Sequence, residues 1–184
     1  FKVASMAAPT EEEKRKPFLY RHFVKIPESG QFSFLASGWM DEIMGERLHE
    51  KLGDEAYAHL IESVKRFERQ LTDNGYLVVK LFLQVSKKEQ EKRIEHLSKE
   101  KDTRWRVSRN DRWQNEHYEK CLNAFDSYLK ETNLPSAPWY IIDAESKKWT
   151  ELQALEILTE GIAVELANNA MAVPILQNVF SMEK

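Results

Sequence analysis

The chain has 184 residues, a formal net charge of −3 and 42% hydrophobic residues. Its length suits a single domain with a sizeable core, and its mild charge gives no indication of a nucleic-acid or membrane partner. No apolar run reaches the ~18 residues that a transmembrane helix needs. The single cysteine, Cys121, excludes an internal disulfide and favours a reducing, cytoplasmic location.

Strand and helix patterns alternate through the first half of the chain. Residues 1–5 already have a strand pattern, so we expect the chain to begin inside a fold. Further predictions are a loop over the charged run 11–16, a short helix over 18–25, a strand over 31–35, and helices over 40–51 and 54–72. The helix over 54–72 is the clearest, since its apolar residues recur at helical spacing.

The strand at 31–35 runs into Ala36, Ser37 and Gly38, which predict a tight turn before the next helix. In α/β folds, ligands bind just beyond the carboxyl ends of such strands. An enzyme that transfers phosphate needs a metal-binding carboxylate at such a strand end. None of these three residues supplies one.

An apolar run over 76–85 predicts a strand that is buried on both faces of a parallel sheet. Ser86 and Glu89 form a capping box, in which the serine caps the helix and the glutamate reaches back to it. The helix that they start is predicted to run through about Leu97.

The last part of the chain repeats the alternation. A second signal at Ser108 precedes a long helix that extends to Leu129, and a short strand is predicted over 139–142. A helix over 149–167 is expected to be buried through Trp149, Leu152, Leu155, Ile162 and Leu166. Residues 168–184, which contain Pro174, are expected to form a less regular tail. Strands that alternate with helices predict a parallel sheet in an α/β layer fold.

Several common catalytic patterns are missing from the sequence. None of the six glycines precedes a lysine, so no phosphate-binding loop of the G-x-x-x-x-G-K type can be built. The five histidines are scattered, and Cys121 has no C-x-x-C partner, which disfavours a metal site. The absence of a G-x-S-x-G elbow disfavours a serine hydrolase.

Positive charge is concentrated in residues 87–112, which hold ten Lys or Arg against six acids. Arg104, Arg106, Arg109 and Arg112 form the densest part, and arginine forks suit the oxygens of polyphosphate. A phosphate-binding lid would have this composition. The alternative is a solvated helical hairpin with alternating charges. Contact with RNA is a weaker possibility, because the segment is short and only moderately basic.

A set of short motifs, taken in order from Phe1 to about Ala167, resembles the polyphosphate kinase 2 family. The matching stretches include Pro9-Thr10-Glu11-Glu12, Pro17-Phe18-Leu19-Tyr20-Arg21, Trp39, Glu46-Arg47, Phe67-Glu68, Lys80-Leu81-Phe82-Leu83, Ser86-Lys87-Lys88-Glu89-Gln90 with Arg93, Trp105-Arg106 and Ala137-Pro138-Trp139-Tyr140. Each motif alone is weak, whereas the ordered set is specific.

The resemblance implies an α/β fold of the phosphate-loop, thymidylate-kinase-like class, with a parallel sheet flanked by helices. The first strand and the phosphate loop would be missing from this chain. The family domain would cover residues 1–167, with a helical lid at about 87–118, and residues 168–184 would be a tail or linker to a second domain. The implied reaction transfers phosphoryl groups between polyphosphate and a nucleotide, AMP to ADP, with Mg²⁺. Candidate phosphate- or nucleotide-binding residues are Arg21, Arg93, Arg104 and Arg106.

This sequence departs from the active members at charged positions. Those members carry Asp-Arg-Ser-Trp-Tyr where this chain has Ala36-Ser37-Gly38-Trp39-Met40, and two further arginines align with Glu42 and Leu97. We therefore assign no catalytic and no metal-binding residue. The chain is most similar to the amino-terminal copy in the two-domain polyphosphate:AMP phosphotransferases, which would make this domain structural and give it a catalytic second copy as partner.

We also expect a homo-oligomer in the cytoplasm without nucleic-acid or membrane partners. Two other functions stay open at this point. One is a non-enzymatic scaffold or oligomerisation module on a kinase fold. The other is another nucleoside monophosphate kinase-like enzyme.

Overall fold

A computed structural model describes residues 1–6 and 8–181. The chain divides into two compact units. The first combines Phe1–Arg66 with Lys120–Thr132, and the second combines Phe67–Glu119 with the chain from Asn133 onward. The division falls within one long helix, α3 (Asp54–Asp73).

The first unit contains a small parallel sheet of β1 (Lys2–Ser5) and β2 (Ser33–Ala36), with Lys2 opposite Ser33. A 3-10 turn at Glu13–Arg15 and the short helix α1 (Tyr20–Phe23) connect the two strands. The charged run was expected to be a loop throughout, but Thr10 and Glu13 cap each other and wind it into this turn. Helix α2 (Trp39–Leu48) follows β2.

Three helices supply the buried apolar residues described in the first unit. Ile43, Met44 and Leu48 of α2 are buried, as the spacing along one helix face predicts. The other buried apolar residues of this unit are Ile61 and Val64 of α3, and Cys121, Tyr128 and Leu129 of α6 (Tyr118–Glu131). Burial also raises the pKa of the Cys121 thiol.

The second unit contains a parallel pair of β3 (Lys80–Gln84) and β4 (Trp139–Asp143), with Lys80 opposite Trp139. Its helices are α4 (Lys87–Lys99), α5 (Arg109–Glu116) and α7 (Lys147–Ser181), and a second 3-10 turn covers Arg104–Arg106. None of the described helices combines the length and the apolar content that a membrane-spanning helix needs.

An ion pair is buried in the second unit. Lys80 Nζ lies 2.6 Å from Glu68 Oε2, and their side chains are 5% and 0% exposed. Burial lowers the pKa of Lys80, and the Glu68 carboxylate opposes that shift. The ammonium also lies 4.9 Å from the centre of the Trp139 ring.

The prediction that the strand over 76–85 is buried on both faces was wrong, because Leu83 of β3 is 54% exposed.

The long helix predicted to end at Leu129 is broken into α5 and α6 at His117. The imidazole of His117 stacks on Trp113 at 4.5 Å, and its backbone N–H is bonded to the Trp113 carbonyl. Tyr118, the first residue of α6, donates a hydrogen bond to the Val85 carbonyl over 2.7 Å. The Tyr118 hydrogen bond therefore attaches the start of α6 to the end of β3.

Helix α7 differs from its prediction in length and in orientation. It continues to Ser181 through Pro174, so the expectation of an irregular tail was wrong for residues 168–181. Alanine, methionine and leucine in this stretch favour helix, whereas its three asparagines and Pro174 do not, so local composition alone did not predict the extension. The last part of that expectation, residues 182–184, lies outside the described residues. Four of the five side chains expected to be buried are more than 40% exposed, namely Trp149, Leu152, Leu155 and Leu166.

Candidate functional site

The turn between β2 and α2 is the first part of the candidate site. Ala36 ends β2, Ser37 adopts the left-handed conformation at φ 64°, and Gly38 caps α2 in an extended conformation. The predicted tight turn is therefore present. Ala36 and Ser37 are exposed, so this strand end presents one hydroxyl group and no carboxylate.

These residues do not fit the magnesium ion that the resemblance implies, because Mg²⁺ in phosphate-transfer sites is held through carboxylates. The nearest carboxylates along the chain, on Asp41 and Glu42, belong to the first turn of α2. Glu42 is already engaged by His22. Among the described residues, no group of three or more His, Cys, Asp or Glu is arranged to hold a metal.

The conformation of Ser37 leads to a stability prediction. A residue other than glycine in the left-handed region costs about 1 kcal/mol. We expect Ser37→Gly to increase the free energy of unfolding by up to about that amount, measured by urea denaturation. Gly30 already has a positive φ of 77° and serves as the reference, since Gly30→Ser should lower the free energy of unfolding. A destabilised Ser37→Gly protein would contradict this prediction.

Arg21 and His22 of α1 face Glu42 of α2. Glu42 Oε2 lies 3.8 Å from an Arg21 guanidinium nitrogen and 3.3 Å from His22 Nε2. Arg21 and His22 are buried, and the His22 ring packs edge-on against Trp39 at 5.8 Å. Burial lowers the pKa of His22, although the bond to Glu42 opposes the shift. Arg21, a predicted phosphate ligand, thus lies beside a carboxylate of its own chain.

The predicted lid consists of α4, the second 3-10 turn and α5. Ser86 caps α4 by accepting a hydrogen bond from the Glu89 N–H. The expected return bond from Glu89 is absent, because Glu145 accepts from the Ser86 N–H over 2.6 Å. Ser108 and Asp111 form a complete capping box at α5.

Side-chain bonds hold the two lid helices together. Asn115 of α5 donates to the Lys87 carbonyl and to Gln90 Oε1, each over 3.0 Å. Arg112 of α5 donates to Ser98 Oγ of α4 over 2.8 Å. The lid is therefore a closed hairpin, and Arg112 is used within it.

Arg93 is placed on α4 and binds protein atoms. Its guanidinium donates to the carbonyls of Ala144 and Glu145, over 2.6 and 3.1 Å, and to the Glu89 carboxylate over 2.9 Å. Ala144 follows β4 directly. This predicted phosphate ligand thus ties α4 to the end of β4.

Arg104 and Arg106 lie at the tip of the hairpin. Both are exposed, and between them Trp105 is 78% exposed while its indole N–H donates to the Asp102 carbonyl. Two guanidinium groups on a short 3-10 turn can approach one polyanion without an unfolding step. Of the four predicted ligands, these two are brought together, whereas Arg93 is tied to β4 and Arg21 lies in the other unit.

Sequence reasoning missed a cleft of about 340 Å³ in the first unit. Its lining includes Arg47 and Lys120, and carboxylates engage both cations, with Asp54 at 2.6 Å and Glu50 at 2.8 Å. Glu46-Arg47 is one of the matching motifs, so that motif was the available signal for Arg47. The pairing with Asp54 makes Arg47 an internal contact of this unit.

Comparison with known proteins places these features in a family. The family model described as Polyphosphate kinase 2 (PPK2) matches residues 1–170. A polyphosphate:AMP phosphotransferase of Pseudomonas aeruginosa is 28% identical over 92% of this chain and 34% of its own length. An AMP/ADP-polyphosphate phosphotransferase of Meiothermus ruber is 26% identical over 89% of this chain and 62% of its own length. The chain thus spans about one third of the Pseudomonas protein.

A solved structure shares the fold. The crystal structure of polyphosphate kinase 2 from Arthrobacter aurescens TC1 superposes with a TM-score of 0.83 at 24% identity, covering 88% of this chain and 57% of that chain. The expected α/β fold, with parallel strands flanked by helices, is confirmed by this similarity.

Proposed function

Since this chain belongs to the polyphosphate kinase 2 family, we propose that it is part of a phosphotransferase acting between polyphosphate and a nucleotide. AMP is the proposed acceptor and ADP the product, as the name of the Pseudomonas relative suggests. We further propose that this domain is structural and that a second copy of the domain, elsewhere in the full protein, carries the catalysis. The reducing cytoplasm is the proposed location, and a homo-oligomer the proposed assembly.

The strand end at Ala36, Ser37 and Gly38 carries the proposal. Phosphoryl transfer depends on cations that stabilise the charge of the transferring group, and a single arginine can contribute ~10³–10⁵ in rate. This turn has neither the acid nor the arginine of the active members. Arg21 is held by Glu42 in addition. The missing acid, the missing arginine and the pairing of Arg21 therefore each remove a rate contribution of that order from the same site.

Polyphosphate contact is assigned to the lid rather than to this turn. Arg104 and Arg106 are exposed and adjacent on the second 3-10 turn. We propose that they bind polyphosphate weakly and hold it for the catalytic copy. Arg93 and Arg21 are assigned lesser roles in binding, since both already contact acceptors of the chain.

An activity assay tests the proposal. We expect the purified chain to form no ADP from AMP with polyphosphate and Mg²⁺ above the background of a mock purification. The Meiothermus relative serves as the positive control under the same conditions. Turnover that co-purifies with the chain and is lost in an Arg104→Ala, Arg106→Ala variant would contradict a structural role.

One observation favours the scaffold function as a second candidate. Trp149, Leu152, Leu155 and Leu166 leave an apolar stripe exposed along α7. Such a stripe is typical of helices that pair with a partner. A sedimentation coefficient that rises with protein concentration, with no effect of nucleotide or polyphosphate, would favour the scaffold over the phosphotransferase part.

A further inference from the structure

The contact between Arg21 and Glu42 has an unusual arrangement of exposure. The Arg21 side chain is 7% exposed and the His22 side chain 0%, whereas the Glu42 side chain is 27% exposed. Both α1 residues approach the same carboxylate oxygen, Oε2. Glu42 is therefore the member of this cluster that reaches solvent.

Arg21 is the cation of this cluster that needs a counter-charge. Arginine stays protonated in proteins, and a buried charge without a partner is strongly destabilising. Burial lowers the pKa of His22, which favours its neutral form near pH 7. Its Nδ1 atom is buried and has no hydrogen-bond partner among the described residues. Glu13 of the first 3-10 turn also acts electrostatically on Arg21 and His22. Glu42 Oε2 contacts both of these side chains.

Carboxylate and phosphate oxygens are equivalent partners for a guanidinium group. The position of Glu42 in the first turn of α2 adds to its role, because the start of a helix stabilises negative charge. At 3.8 Å the contact with Arg21 is longer than the 2.7–2.9 Å typical of charged hydrogen bonds, so a larger anion could approach more closely.

We propose that Arg21 and His22 form a binding site for a phosphoryl anion, and that the Glu42 carboxylate occupies this site from within the chain. The inference rests on the proposed function, since it explains how a phosphotransferase domain gives up one phosphate ligand and still keeps its buried arginine. Glu42 then acts as an internal substitute for phosphate. Removing it should convert the cluster into a site for an external anion.

A rescue experiment tests this inference on the whole chain. The melting temperature of Glu42→Ala is compared in sodium chloride and in about 10 mM sodium phosphate at equal ionic strength. In chloride we expect a loss of at least about 5 °C, because Arg21 becomes a buried charge without this partner. In phosphate we expect about 2–4 °C to return. The parent protein should respond equally to the two salts.

Two variants control for other effects. Glu62→Ala removes an exposed carboxylate from α3, so it matches the change in net charge and should show no phosphate-specific rise. The double variant Glu42→Ala, Arg21→Gln should lose the rescue. If Glu42→Ala does not fold in chloride, Glu42→Gln keeps the side-chain volume and is tested in the same way.

The outcomes separate this inference from the proposed function. A rise in phosphate no larger than in chloride, or a rise that survives Arg21→Gln, would overturn the internal-anion site. ADP formation by the parent chain would overturn the structural role of the domain without affecting the rescue. Phosphate-specific recovery that depends on Arg21 supports the site directly.

Discussion

Replacement of Lys80 by alanine is expected to lower the free energy of unfolding by about 3–5 kcal/mol, because it leaves the buried Glu68 carboxylate without its cation. The Glu68 side chain is fully buried in the parent protein, so bulk water does not solvate its carboxylate. Urea denaturation followed by circular dichroism measures the loss. This is the largest loss of stability that we expect from replacing one buried charged residue.

Two comparisons make this result specific. Lys65→Ala breaks an exposed pair of the same 2.6 Å length and should cost at most about 1 kcal/mol. Replacing both partners, by Glu68→Leu with Lys80→Met, should recover most of the loss, since a buried pair can be exchanged for apolar residues at little cost. A Lys80→Ala protein as stable as Lys65→Ala would mean that Glu68 finds another partner.

Loss of Arg104 and Arg106 together is expected to weaken polyphosphate binding about ten- to a hundredfold. Each hydrogen bond to a charged group contributes about 1.5–3 kcal/mol, and exposure places the effect at the lower end. Both side chains are exposed, so the double alanine variant should melt at the temperature of the parent. Isothermal titration with polyphosphate of defined length measures the affinity.

The matched control removes the same charge from the same segment. Lys99 and Lys101 are exposed neighbours of the 3-10 turn, and their double alanine variant should lose much less affinity. Equal losses would indicate attraction by general charge and contradict a site on the turn. Arg93→Ala should behave in the opposite way, with a lower melting temperature and nearly parental affinity, because its bonds go to the carbonyls after β4.

The sequence predicted the helices best where one face alone is apolar. Helix α3 was expected over 54–72 and covers Asp54–Asp73, since its apolar residues repeat at a single helical period. On α7 both faces carry apolar residues, so periodicity could not distinguish the packed face from the exposed one. The prediction chose several residues of the exposed face.

Contacts between residues distant in the chain could not be predicted. Glu145 takes the Ser86 N–H from 59 residues away, and Glu89 turns to Arg93 instead. Local motifs describe only neighbours, so the capping box was half right. The break at His117 has the same origin, because a bond from Tyr118 to the end of β3 follows it.

For the candidate site, the resemblance implied which charges differ from those of the active members, but not what the residues at these positions contact. The missing carboxylate at Ala36–Gly38 could be read directly from the residues. A charge reversal at Glu42 was implied by the resemblance, whereas the pairing of Glu42 with Arg21 requires the fold. The tether formed by Arg93 ends on backbone carbonyls, which have no signature in a sequence.

The single thiol of this chain, on Cys121, is a probe for local opening of the first unit. Cys121 is 5% exposed in the first unit, and its raised pKa keeps it protonated and slow to react. A thiol reagent can therefore modify it only in molecules whose α6 has moved away from its neighbours. The rate of labelling therefore measures how often the first unit opens in the native protein. The second unit contributes no signal, because Cys121 is the single cysteine of the chain.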